Sequence, residues 1–195
     1  AQDSSQTIPV DIEILLAVDV SSSVDSEEYN IQMVGIANAF RHPDVIAAIG
    51  AAGDQGIAVS VLQWSDSKEQ ALIPDWTLIK SEEDAYDFSR KVRHVARVIK
   101  GGQTSISGAL RFAINEINTN KYDGSRKIID VSGDGRANNG PHPMEFRDKA
   151  ITLDITIYGL AILDEEYALR SGSIRMQTPF PSPASHAVPA DVVRV

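Results

Sequence analysis

Apolar and polar positions alternate along this chain in blocks of two kinds. Ile12 to Val18 is an almost unbroken aliphatic run ending at Asp19, the pattern of a buried strand feeding a Ser-rich loop. Ile31, Val34, Ile36, Ala37 and Phe40 then recur at helical spacing. Asp25 or Ser26 can cap that helix, Glu28 completes a D-x-x-E capping pattern, and His42-Pro43 stops it. Residues 44–53 read as one further short helical turn. Ile57 to Trp64 is a second buried strand, and Gln70 to Leu78 a shorter one that Pro74 confines to an edge.

A helix is expected from Glu82 to Ile99, with the stripe Ala85, Phe88, Val92, Val95 and Val98. Ser81 opens it, acidic residues fill its first turn, and Gly101-Gly102 ends it. Another helix runs from Ile106 to Ile117, and Lys127 to Val131 is a strand that leads into Ser132-Gly133-Asp134-Gly135. Met144 to Ile151 is a helix and Leu153 to Ile162 a strand. The alternation predicts an α/β fold: a doubly wound, mostly parallel central sheet flanked by helices in three α/β/α layers. Residues 1–10 form a polar lead-in and 11–163 the domain. Residues 164–195 are an irregular Pro/Ser-rich tail holding Pro179, Pro181, Pro183 and Pro189, read as a disordered end or linker.

Composition removes several classes of function. The 195 residues carry 18 Lys+Arg against 27 Asp+Glu, a formal charge of −9, which argues against a nucleic-acid surface and against docking on anionic lipid. There is no Cys, which removes thiolate sites, and four scattered His argue against a zinc enzyme, so any metal is expected to be held by oxygen. No apolar run reaches the ~20 residues of a membrane helix. The start at Ala1-Gln2-Asp3, without Met, reads as a mature chain after signal-peptide removal, and the expected location is periplasmic or secreted.

Ligands of open parallel sheets bind outside the carboxyl ends of the strands, and three such loops here offer oxygen. Asp19-Val20-Ser21-Ser22-Ser23 is a D-x-S-x-S pattern. Residues two apart in an extended segment point the same way, so Asp19, Ser21 and Ser23 can converge on one hard cation. Thr104, in the loop after Gly101-Gly102, and Asp134 supply a further hydroxyl and carboxylate. Magnesium is the first expectation, with manganese or calcium as alternatives.

As a set these residues resemble the von Willebrand factor A-type domain with its metal-ion-dependent adhesion site, over about residues 11–163. The resemblance implies that Ser21 and Ser23 ligate the metal directly, that Asp19 and Asp134 act partly through water, and that Thr104 completes the set. It also implies a sixth position filled by a carboxylate from a protein partner, and so a binding or assembly module rather than an enzyme. Where many members have Thr-Asp-Gly, this chain has Gly133-Asp134-Gly135, which resembles a bacterial subgroup of unassigned function. The family's last strand and closing helix have no clear counterpart here beyond Asp191 to Val195.

Each residue also has an ordinary use. Ser23 or Asp25 could cap the first helix, Thr104 or Ser105 the helix from Ile106, and Asp134 could occupy a turn. Three strand-end loops converging on one side favour the shared site. Asp130 lies inside a strand and is left out of it. Trp64 and Trp76 are read as packing, Arg90, Lys91, Arg93, Arg97 and Lys100 as a solvated basic face, and His42 and His142 as loop residues. The alternative is a Mg-dependent phosphohydrolase with Asp19 as nucleophile. It is disfavoured because Ser21 stands where a D-x-D motif needs its second carboxylate. No P-loop and no G-x-S-x-G elbow occurs.

Overall fold

The computed structural model describes residues 7–133 and 137–161. In chain order the elements are β1 (Ile8–Asp19), α1 (Ser26–Ala39), α2 (Pro43–Ala52), β2 (Ile57–Trp64), β3 (Gln70–Leu72), β4 (Thr77–Ile79), α3 (Glu82–Arg93), α4 (Ile106–Thr119), β5 (Tyr122–Gly133), α5 (Met144–Thr152) and β6 (Ile155–Ala161). They build a six-stranded sheet in the order β3-β2-β1-β5-β6, with β4 also on β2. β1 pairs in parallel with β2 and β5, and β5 with β6. The expected mostly parallel α/β sheet is therefore present.

Each face of the sheet has its own core. On one, Leu15, Ala17, Leu62, Trp64 and Ile129 pack under Leu110, Ala113, Ile114 and Ile117 of α4. On the other, Val18, Val59 and Val61 meet Tyr29 and Met33 of α1 and Phe88 and Val92 of α3. With helices on both sides, every residue of β2 is buried, which is why its sequence is a run rather than an alternation. Trp64 and Trp76 are core residues, as expected.

Several elements differ from the sequence reading. The single strand over 70–78 is two short antiparallel pieces, β4 beside Ile57–Val59 and β3 beside Leu62–Trp64. Between them the Ser60 hydroxyl donates to the Pro74 carbonyl and Ile73 N–H to the Val61 carbonyl, so β2 holds the intervening bend. On α1, Tyr29, Met33 and Ala37 face inward while Ile31 is 62% exposed. β1 and β5 extend further toward the polar side, pairing Ile8 with Tyr122, so β1 begins inside the segment read as a lead-in. The tail, including Asp191 to Val195, lies outside the described residues.

The largest correction concerns α3, which ends at Arg93 rather than Ile99. Fully buried Gln63 takes over the backbone beyond: its amide donates to the Ala96 carbonyl and the Tyr29 hydroxyl, and its carbonyl accepts from Val98 N–H. Tyr29 in turn donates to the Val95 carbonyl, with burial pushing its phenol up to about 12, so it stays a neutral donor. These tertiary bonds draw residues 95–98 out of the helical ladder, and Val98 is half exposed despite its place in the apolar stripe.

Glu13 is a fully buried carboxylate on β1, accepting from Asn120 Nδ2 at 2.8 Å and Gly124 N–H at 2.7 Å. Burial pushes its pKa above the ordinary value, against the downward pull of those two bonds and of Lys127. The folded chain thus keeps this proton to higher pH than the unfolded chain. The stability it contributes is full below the unfolded value and is lost as pH rises through the folded one. In thermal melts, the advantage of wild type over Glu13→Gln is expected to be largest near pH ~4 and to shrink toward pH ~7. An advantage that grows with pH would contradict this.

Candidate metal centre

The topology reverses at β1: the chain crosses to β2 on one side and later returns to β5 on the other, and the carboxyl ends of strands at such a switch point are where open α/β sheets bind ligands. Asp19, the last residue of β1, is fully buried there, and its Oδ1 accepts from Ser21 N–H at 2.7 Å. Val20 N–H continues the sheet by donating to the Trp64 carbonyl. Ser21 and Ser23 turn to the same side, with their hydroxyl oxygens 3.1 Å apart; Ser21 is buried and Ser23 exposed. The cap of α1 is Asp25, which accepts from Glu27 N–H and Glu28 N–H in a full capping box with Glu28. Capping is therefore not the task of Ser23.

Thr104 occupies the loop before α4 and is nearly buried. The cap of that helix is Ser105, whose hydroxyl accepts from Gly108 N–H. Thr104 is instead gripped by the loop after β5: its N–H donates to Asn138 Oδ1 at 2.8 Å, and its carbonyl accepts from Asn138 N–H and Asn139 N–H. Ser22 N–H donates to the Gly102 carbonyl at 3.0 Å, joining the D-x-S-x-S loop to the loop that carries Thr104. Gly140, at φ +83°, closes the turn against α4, where a Cβ would lie 2.6 Å from Ser107 Oγ and 2.8 Å from Ser105 Oγ.

On the β5 side, Val18 registers with Ser132, and a Cβ on Gly133 would stand 3.0 Å from Asp19 Oδ2. Glycine at 133 lets the strand end come close to that carboxylate. Asp134 lies outside the described residues. Of the five expected site residues, the structure thus brings Asp19, Ser21 and Ser23 onto one loop. It ties the Thr104 loop to them through Ser22 and Gly102.

Among the described residues no group of three or more His, Asp or Glu could hold a metal, and the oxygens gathered at the end of β1 are the Asp19 carboxylate and the Ser21 and Ser23 hydroxyls. That donor set suits a cation. In an octahedron with bonds of ~2.0–2.1 Å, neighbouring oxygens are ~2.9 Å apart, whereas calcium's longer bonds spread them to ~3.3 Å or more. The 3.1 Å between Ser21 Oγ and Ser23 Oγ falls midway between these spacings, within reach of either ion. Asp130 is set back in β5 beside Leu16, and burial pushes its pKa upward. The imidazoles of His42 and His142 accept from nearby backbone N–H groups, of Asp44 and Met144.

Asn138, Asn139, Gly133 and Arg97 were missed as contributors to this region. Asn-Asn-Gly signals a turn, but its grip on Thr104 pairs residues 34 apart in sequence. Arg97, read as part of a solvated basic face, is half-buried beyond the end of α3 and directs its guanidinium into the D-x-S-x-S loop.

Residues 9–179 match a family model described as a protein of unknown function, DUF1194. No curated protein matches the chain. Among solved structures, it is similar to proximal thread matrix protein 1 from the mussel byssus, with a zinc-occupied MIDAS motif. That likeness has TM-score 0.62 and 22% identity over 82% of this chain and 41% of that one. The pilus adhesin SpaC of Lactobacillus rhamnosus GG is similar at TM-score 0.56 and 12% identity, over 78% of this chain and 24% of that one. Conserved hypothetical protein BatB of Bacteroides thetaiotaomicron is similar at TM-score 0.51 and 15% identity, over 77% and 66%. The chain spans about two fifths of the mussel protein and a quarter of the adhesin. At these identities the likeness is one of fold.

Proposed function

The chain belongs to the DUF1194 family and has a von Willebrand factor A-type fold, and from that premise we propose that it is a metal-dependent protein-binding module of adhesion or assembly. The observation that carries the proposal is the Ser21–Ser23 hydroxyl pair, 3.1 Å apart, set beside the buried Asp19 carboxylate at the sheet's switch point. Ser21 and Ser23 would hold a magnesium ion directly, with Asp19, Thr104 and Asp134 around it; manganese and calcium are the alternatives. When bound, such an ion supplies a concentrated positive charge with a position open to a partner's carboxylate.

The residues around the pair favour binding over turnover. Asp19 is fully buried and already spends Oδ1 on Ser21 N–H, a poor state for a nucleophile. Two hydroxyls carry no charge, so little of the ion's charge is cancelled at the rim. The net charge of −9 thus says little about the partner, since a local cation outweighs distant carboxylates at its own site. The partner is a protein presenting an acidic side chain, and the proposed place of work is outside the cytoplasm. No helix among the described residues is long and apolar enough to cross a membrane.

A fluorescent Glu-containing peptide, read by anisotropy, tests the carboxylate preference. Binding is expected in magnesium, with loss on chelation and loss when Glu is replaced by Gln. Equal binding of the Gln peptide, or binding that survives the chelator, would contradict it.

A further inference from the structure

Arg97 makes four hydrogen bonds to main-chain carbonyls and none of them lies on a helix surface. Nη2 donates to Val20 at 2.7 Å and Ser21 at 3.1 Å, Nη1 to Val24 at 2.8 Å, and Nε to Ile99 at 3.2 Å. Three of these carbonyls belong to the D-x-S-x-S loop and its exit. The fourth belongs to the segment that runs on to Thr104. The planar fork of a guanidinium suits this task, since its donors point in fixed, divergent directions.

A trans peptide carries its C=O and N–H on opposite sides. With the Val20 carbonyl turned to Arg97, Ser21 N–H faces away, and it donates to Asp19 Oδ1. With the Ser21 carbonyl turned to Arg97, Ser22 N–H faces away, and it donates to the Gly102 carbonyl. The guanidinium therefore sets the two peptide planes that aim the Asp19 carboxylate and join the two hydroxyl-bearing loops. Arg97 is itself anchored from behind. Gln63 holds Ala96 and Val98 on either side of it, and Tyr29 holds Val95.

We propose that Arg97 is the positioning residue of the cation site: it shapes the Asp19–Ser23 loop before any ion arrives and locks it to the Thr104 loop. The proposal rests on the metal-binding reading of that loop. It predicts a site assembled without its ligand, with the orienting charge lying behind the peptide planes.

The test uses the full chain with Arg97→Lys and Arg97→Met, reading magnesium affinity by calorimetry and amide exchange at Ser21 and Ser22 in metal-free protein. Arg97→Met is expected to weaken magnesium binding by about 10-fold, in the range for residues that orient metal ligands. Both amides should exchange faster even without metal. Arg97→Lys keeps the charge but not the fork and should show smaller changes of the same kind. Wild-type affinity, or wild-type exchange at those two amides, in either variant would overturn the proposal. If Arg97→Met does not fold, Arg97→Lys decides on the same readouts. A wild-type chain that takes up no magnesium would instead sink the cation reading, leaving exchange to judge Arg97's hold on the loop.

Discussion

Asp19→Ala is expected to remove the magnesium-dependent stabilisation of the chain. A ligand bound only to the folded state at 100 times its Kd adds about 2.7 kcal/mol. For a chain of this size that is a rise in Tm of about 5–10 °C. Asp19 is fully buried, and its Oδ1 bond to Ser21 N–H shapes the loop in which the serine hydroxyls meet. Alanine removes both the nearby negative charge and that constraint, so the variant should melt at the same temperature with and without magnesium. Asp19→Asn keeps an acceptor for Ser21 N–H and separates the two effects: its metal-free melt should resemble wild type while its magnesium response is still lost. A full thermal shift in Asp19→Ala would remove Asp19 from the site.

Gly140→Val should be the most damaging substitution among the loops around the site. At φ +83° any side chain is strained, and a Cβ would press within 3 Å of the Ser105 and Ser107 hydroxyls at the start of α4. Backbone strain and overpacking each cost of order 1–3 kcal/mol, so a combined loss of about 3 kcal/mol is expected in chemical denaturation. The damage should reach the site as well. Asn138 and Asn139, just before this glycine, hold both the N–H and the carbonyl of Thr104. Magnesium affinity should fall with stability, whereas a variant within about 0.5 kcal/mol of wild type would show that the turn does not depend on glycine.

The elements legible in the sequence are those whose pattern is set locally or by complete burial. β2 sits between pairing strands with helices on both faces, so its apolar run has sharp ends. α4 keeps its stripe from Ala109 to Ile117 because one face meets the sheet throughout. The capping box at Asp25 and Glu28 is a short-range signal and holds as read. Where long-range polar contacts compete with local periodicity, the pattern misleads. The stripe of α3 continues to Val98, yet Gln63 and Tyr29 claim the backbone of residues 95–98, and neither lies near them in sequence. The same competition hides Arg97, whose basic neighbours suggest a solvated helix face until the chain leaves the helix. β3 and β4 share one partner, β2, a pairing no local pattern encodes.

At the site, the D-x-S-x-S spacing was legible, but the reason expected for it was not the one that operates. Residues 21–24 form a turn, Val24 N–H donating to the Ser21 carbonyl at 3.1 Å, and that turn rather than an extended segment brings the Ser21 and Ser23 hydroxyls together. The support for Thr104 was not legible, since Asn138 and Asn139 reach it from the far side of the switch point. The loops that offer oxygen ligands are thus readable in order along the chain, while what fixes them in space is non-local.

The central claim, that the hydroxyls at the end of β1 hold a cation, is tested most directly by calorimetric titration of magnesium into the metal-stripped chain, beside the double variant Ser21→Ala/Ser23→Ala. Saturable binding of one ion per chain in wild type, absent from the double variant, is the predicted result. No saturable heat in wild type, or the same isotherm in both proteins, would contradict it.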